Sequence, residues 1–159
     1  MLTKLLPEQI SKFWDVIRYA ISQSLPPVVG DHPDKMNNIL ISAMEGSIDV
    51  WASYVREGDK TRFEGIVLTE FLYDRPSRTK NLLIYCIYGY DKVDKQSWTD
   101  GLSTILKYAK GANCNQIVAY TDAPYIIEIV RQLGGEAKYT FISFDVKRCL
   151  NHLINSNEV

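Results

Sequence analysis

Lys95-Gln96-Ser97-Trp98-Thr99-Asp100-Gly101-Leu102 is a mostly polar run, interrupted by Trp98, that opens a helical pattern soon after a long apolar stretch. A helix N-terminus presents backbone N–H groups without intrahelical partners and the positive end of the helix dipole, and the ligands of a strand-helix unit sit beside it. The place, rather than any one side chain, is what marks this run. Nucleophilic chemistry has less support. His32 and His152, the two histidines, lie far apart, and neither accompanies a serine or cysteine in a nucleophile setting. Cys86, Cys114 and Cys149 lack metal-ligand spacing. No metal site is expected, and the cysteines read as buried thiols of a reducing compartment.

The elements that must position this run extend from Asn81 to Asp122. Leu82-Leu83-Ile84-Tyr85-Cys86-Ile87-Tyr88 is almost unbroken in apolar character, which suits a central strand buried on both faces. Trp98, Leu102, Ile105, Leu106 and Ala109 then recur at helical spacing, with Gly111 as the expected stop. Gln116 to Tyr120 follows as a short strand, so the unit is a right-handed crossover between parallel strands. Ligands of such units sit outside the carboxyl end of the first strand, here Gly89 to Asp100.

The flanking chain supplies the layers. Pro7 opens a first helix whose stripe is Ile10, Phe13, Trp14, Ile17, Ala20 and Ile21, preceded by a short strand over Leu2 to Leu6. Three prolines between Ser24 and Pro33 enforce a loop, and a second helix ends at Gly46. Ile48 to Arg56 and Arg62 to Phe71 form a hairpin around Glu57 to Thr61, and a polar connection, Tyr73 to Lys80, leads to the central strand. Pro124 opens a fourth helix that stops at Gly134-Gly135, Tyr139 to Val146 is the last strand, and Lys147 to Val159 carries a weak helical pattern that either packs loosely or serves a partner. The expected division is one domain over 1–146 and a tail over 147–159.

Composition bounds the function. With 159 residues, 46% hydrophobic and 23% charged, the chain is of ordinary globular make-up and long enough for one substantial core. A net charge of −1 gives no footprint for nucleic acid or an anionic membrane surface. No apolar run spans a bilayer and no signal-peptide pattern opens the chain, so a cytoplasmic location is expected. Tyr19, Trp51, Tyr54, Tyr73, Tyr88 and Tyr90 form a protein-binding surface if they are exposed together, though their spacing suits core packing as well.

The order helix, helix, strand, hairpin strand, central strand, helix, strand, helix, strand resembles the GNAT acyltransferase superfamily over roughly the first 146 residues. Its most specific parts are the 82–88 strand, the segment from Leu102 to Ile117 and the helix ending Gln132-Leu133-Gly134-Gly135. A tryptophan entering the central helix and Ala-Lys then Cys toward its end also look like GNAT-like proteins of tailed bacteriophages. The first resemblance implies an α/β fold with a mixed, largely antiparallel sheet, a splayed parallel pair and about four helices. It also implies acetyl-CoA as cofactor, an amine as acyl acceptor, and a pyrophosphate held by the loop before the central helix. The positions this resemblance assigns to that loop are Gln96, Ser97, Trp98, Thr99 and Gly101, with Gln96 standing for the family's polar start and Gly101 for its last small residue.

The sequence departs from the superfamily pattern at Trp98 and Asp100, where small uncharged residues are wanted. Asp100 would set a carboxylate beside two phosphates, and at ~4 Å even surface-like screening leaves a repulsion of a few kcal/mol. Without a ligand the same residues read as a helix start, with Ser97 or Thr99 as N-cap and Asp100 in the first turn. Where active members carry a general-acid tyrosine, this chain has Val130, and Tyr125 is the nearest substitute. Glu70 and Asp91 are the carboxylates to test as general base. Two functions follow: an acyl-CoA-dependent N-acyltransferase, or a non-catalytic interaction or virion-assembly protein. The second would be virion-associated if phage-encoded. The loop favours the second.

Overall fold

The computed structural model describes residues 1–26, 28–91 and 93–157. Pro27 in the proline loop, Lys92 in the expected ligand loop, and Glu158 and Val159 in the tail lie outside the described residues. The chain divides into two compact units, Met1–Pro124 and Tyr125–Val159.

Alternating and continuous apolar runs in the first unit form a five-stranded sheet in simple sequence order. The strands are β1 (Leu2–Lys4), β2 (Asp49–Glu57), β3 (Lys60–Asp74), β4 (Thr79–Gly89) and β5 (Ile117–Ala119). Neighbours are antiparallel except β4 and β5, which run parallel across the α4 crossover (Lys95–Gly111). The mixed sheet with one parallel pair is the expected architecture.

Each sheet face carries its own core. One holds Val50, Ala52, Ile66, Leu68 and Cys86 beneath Ile10, Ile17, Ala20, Ile21, Ile39 and Ala43 of the helices before β2. The other holds Trp51, Val67 and Leu82 beneath Ile105 and Ala109 of α4. Residues 50, 51 and 52 therefore point alternately to the two cores, as strand geometry requires. Of the three cysteines only Cys86 is buried; Cys114 and Cys149 are partly exposed free thiols, against the expectation for all three.

The single first helix expected from its stripe is two helices, α1 (Pro7–Lys12) and α2 (Trp14–Ser24). Phe13 interrupts them with φ −106° and ψ 18°, and its ring packs edge-on against Phe63 at 5.1 Å. The next helix, α3 (Lys35–Glu45), ends as expected at Gly46 with φ +80°. The stop of α4 differs from expectation: Gly111 is helical, and the left-handed residue is Asn113 at φ 57°. Asparagine tolerates this region because its short polar side chain bonds locally.

The second unit holds α6 (Val146–Asn157) and all of α5 (Pro124–Gln132) after its first residue. The strand expected over Tyr139 to Val146 is not formed: residues 139–145 have no regular structure and Val146 begins α6. Alternation alone does not make a strand, because its main-chain groups need an edge to pair with, and this unit offers none among the described residues. With α1 and α2 separate and the tail helical, the described residues form six helices rather than about four.

A polar staple ties α4 to the strands. The Tyr108 hydroxyl donates to Asp49 at 2.5 Å, and Lys4 pairs with the same carboxylate at 3.0 Å. The Tyr108 ring stands edge-on to Trp51 at 4.9 Å, whose indole N–H donates to the buried Thr69 hydroxyl at 3.0 Å. Burial, and then Asp49, raise the Tyr108 phenol above its ordinary pKa. Tyr108→Phe is expected to cost about 1 kcal/mol in urea unfolding, the net worth of one such bond. An unchanged midpoint would mean the bond is offset by water.

Candidate functional site

Ligand-accommodating space in this topology depends on where β4 and β5 part. Their pairing covers Leu82 with Ile117, Leu83 with Val118 and Ile84 with Ala119, and β5 ends there. β4 continues to Gly89, so its second half has no β5 partner. A bulge begins at the same level: Leu68 faces Cys86 while Thr69 faces Ile84, leaving Tyr85 as the extra residue of β4. Beyond Ile84, where β4 has no β5 partner, its main chain is a place where an extended ligand can pair.

Glu70, the expected general base, lies opposite Leu83 on β3, one strand from the point of parting. By alternation from Ile66 and Leu68 it belongs to the face of α1 to α3. Burial raises its carboxyl above the ordinary range. Burial, with smaller contributions from Cys86 and Glu70, also raises the Tyr85 phenol. A raised folded-state pKa in an acid costs stability as pH rises from the ordinary carboxylate value through the raised one. Glu70→Gln is therefore expected to raise the thermal midpoint at neutral pH and to leave it unchanged at low pH. A loss at neutral pH would contradict this. Asp91 instead lies at the surface, 3.8 Å from Arg62. Cys86 is buried with its thiol pushed up to about 11, which makes it inert.

The helix end carries the sharpest chemistry. Its N-cap is Asp94, not Ser97 or Thr99 as the spacing suggested. The Asp94 carboxylate accepts the Ser97 amide at 2.8 Å, and the Asp94 carbonyl accepts the Trp98 amide at 3.1 Å. The Ser97 amide, then the Ser97 hydroxyl and, with a smaller share, the Gln96 amide hold the Asp94 carboxyl below the ordinary carboxylate range. Asp100 lies beyond the first turn, where it accepts the Gln96 side-chain amide at 2.8 Å. The Thr99 hydroxyl bonds back to the Lys95 carbonyl at 2.9 Å, and Trp98 is half-buried. Thr99 and Gly101 lie inside the helix, past the turn whose amides are open. A Cβ at Gly101 would meet nothing within 4 Å, so no close approach requires glycine there.

Asp94 contributes stability above the ordinary aspartate range, and that contribution is lost as pH falls through its depressed folded value. Asp94→Asn keeps an acceptor for Ser97 but cannot titrate. Its thermal midpoint should fall less steeply than that of the parent chain below about pH 4. Parallel curves would place the cap elsewhere.

Pyrophosphate does not fit this helix end as it stands. The amides that would cradle it already serve a tethered carboxylate, and Asp100 adds a second negative charge one turn on. Tyr125, the expected acid, opens α5 in the second unit and is 64% exposed. Of the residues expected around a coenzyme, Gln96 and Ser97 meet at the helix end. Sequence reasoning missed Tyr85 and Asp94. The bulge leaves no trace in one sequence, but Asp94, three residues before Ser97, has capping spacing that could have found it.

No family model and no curated protein matches the sequence. Solved structures do match. A probable acetyltransferase aligns over 91% of this chain and 95% of its own, with a TM-score of 0.67 at 11% identity. An aminoglycoside acetyltransferase from an uncultured soil metagenomic sample, solved with sisomicin, aligns over 91% and 93% with a TM-score of 0.67 at 13% identity. A ribosomal-protein-alanine N-acetyltransferase from Brucella melitensis aligns over 91% and 98% with a TM-score of 0.63 at 12% identity. The chain is thus a GNAT-fold protein.

Proposed function

We propose that this GNAT-fold protein works by binding a protein partner, in the manner of a bacteriophage virion-assembly component, and has given up the coenzyme's phosphate cradle. The proposal rests on the Asp94 carboxylate on the Ser97 amide at 2.8 Å. A phosphate seeking that amide must displace a covalently tethered anion and then sit beside it, and two unit charges 4 Å apart repel by ~1 kcal/mol even in bulk water. Among the described residues no helix is long and apolar enough to cross a membrane. In thermal unfolding with millimolar acetyl-CoA the midpoint is expected to stay where it is without ligand. Binding at a hundred times Kd would add about 2.7 kcal/mol, a rise of several degrees that would overturn the reading.

A second reading, acyl-CoA-dependent N-acylation of an amine, is supported by the parting of β4 from β5 beside Glu70. Its test is release of free coenzyme thiol from acetyl-CoA in the presence of polyamines, aminoglycosides or peptide N-termini. Turnover abolished by Glu70→Gln would establish it. No release above the uncatalysed rate with any of these removes it.

A further inference from the structure

We propose that the pocket between α1 and the β2–β3 hairpin is a binding site for a small aromatic carboxylate, separate from the β4–β5 gap. The pocket has a volume of about 120 Å³. Phe13, Tyr54 and Phe63 wall it, and Lys12, Arg56 and Gln9 also line it. The rings are arranged around Phe63, with Phe13 edge-on at 5.1 Å and Tyr54 tilted at 6.1 Å. An engineered apolar cavity of ~150 Å³ takes up benzene, so in this smaller pocket, open to solvent, a ring enters in part and its substituent stays at the rim.

Charge selects the ring's substituent. Among the described residues no carboxylate lines the pocket, although the chain as a whole is net negative. Among the described residues neither Lys12 nor Arg56 forms an ion pair, whereas Arg62 nearby on β3 is occupied by Glu57 at 2.8 Å. The Lys12 ammonium lies 5.2 Å from the centroid of the Phe13 ring, one of the pocket's aromatic walls. The Gln9 side-chain oxygen Oε1 already accepts the Leu6 amide at 2.9 Å, so the side chain's remaining polar group, its NH2, is a donor. Two cations and an amide donor beside aromatic walls favour a planar carboxylate over a neutral or cationic ring.

The test is titration of the full chain with benzoate and with benzamide, its neutral near-isostere, followed by amide NMR. Benzoate is expected to bind in the millimolar range or tighter, at least about tenfold better than benzamide, with the largest shifts at Phe13, Tyr54 and Phe63. Lys12→Gln and Arg56→Gln, both at exposed positions, should each weaken benzoate severalfold and leave benzamide unchanged, with thermal midpoints kept. Absence of benzoate binding, equal affinity for the two probes, shifts mapping elsewhere, or affinity unmoved in both variants would each overturn the site.

Discussion

The double substitution Asp94→Asn, Asp100→Asn is expected to give the protein an affinity for acetyl-CoA at least about tenfold above that of the parent chain. Asp94 caps α4 and accepts the Ser97 amide, and Asp100, just beyond the first turn, accepts the Gln96 side chain. Asparagine keeps an acceptor at each position, so the helix start survives while two negative charges leave. The helix dipole and the first-turn amides then face an incoming pyrophosphate without a competing anion. Asp100→Asn alone should tighten binding by a smaller factor, because Asp94 still holds the amide. Equal, weak affinity in parent and double variant would mean that the carboxylates are not what keeps phosphate away.

Leu82→Ala is expected to destabilise the protein by about 2–5 kcal/mol, well above the net worth of a single hydrogen bond. Leu82 has no solvent exposure and belongs to the core beneath α4. Its amide donates to the Gln116 carbonyl at 2.9 Å, and it stands opposite Phe71 on β3 and Ile117 on β5. Truncation opens a cavity where the antiparallel part of the sheet meets the parallel pair, and β5, with three residues, has little else to hold it. Urea unfolding measures this directly. A loss below about 1 kcal/mol would show that α4 collapses onto the space.

The parts of the fold legible in the sequence are those whose pattern reports burial locally. The 82–88 run, the Ile10 to Ile21 stripe and the Glu57 to Thr61 turn each appear where periodicity places them. Errors arise where a distant partner decides. Phe13 breaks a continuous stripe by packing on Phe63, fifty positions away. The alternating residues 139–145 form no strand, because alternation describes which face a side chain takes but does not supply an edge. Asn113, rather than Gly111, takes the left-handed conformation after α4.

The elements around the candidate site are legible by place more than by atom. β4 ends at Gly89 and α4 begins at Lys95, the order a strand-helix-strand unit dictates. The unfavourable charge at Asp100 is visible in the sequence, but its bond to Gln96 is not. The decisive cap lies upstream at Asp94, since a helix begins wherever its amides first find an acceptor. Glu70 is visible as a carboxylate near a strand end. Its setting one strand from the β4–β5 parting depends on a register that single-sequence reading does not fix.

The most direct measurement is an amide NMR titration of the native chain with acetyl-CoA, reading the first turn of α4. The Gln96, Ser97 and Trp98 amides are expected to stay fixed at millimolar acetyl-CoA, because Asp94 retains the Ser97 amide. Saturable movement of those amides, with the Asp94 cap released, would mean that the phosphate cradle is intact and would make acyl transfer the function.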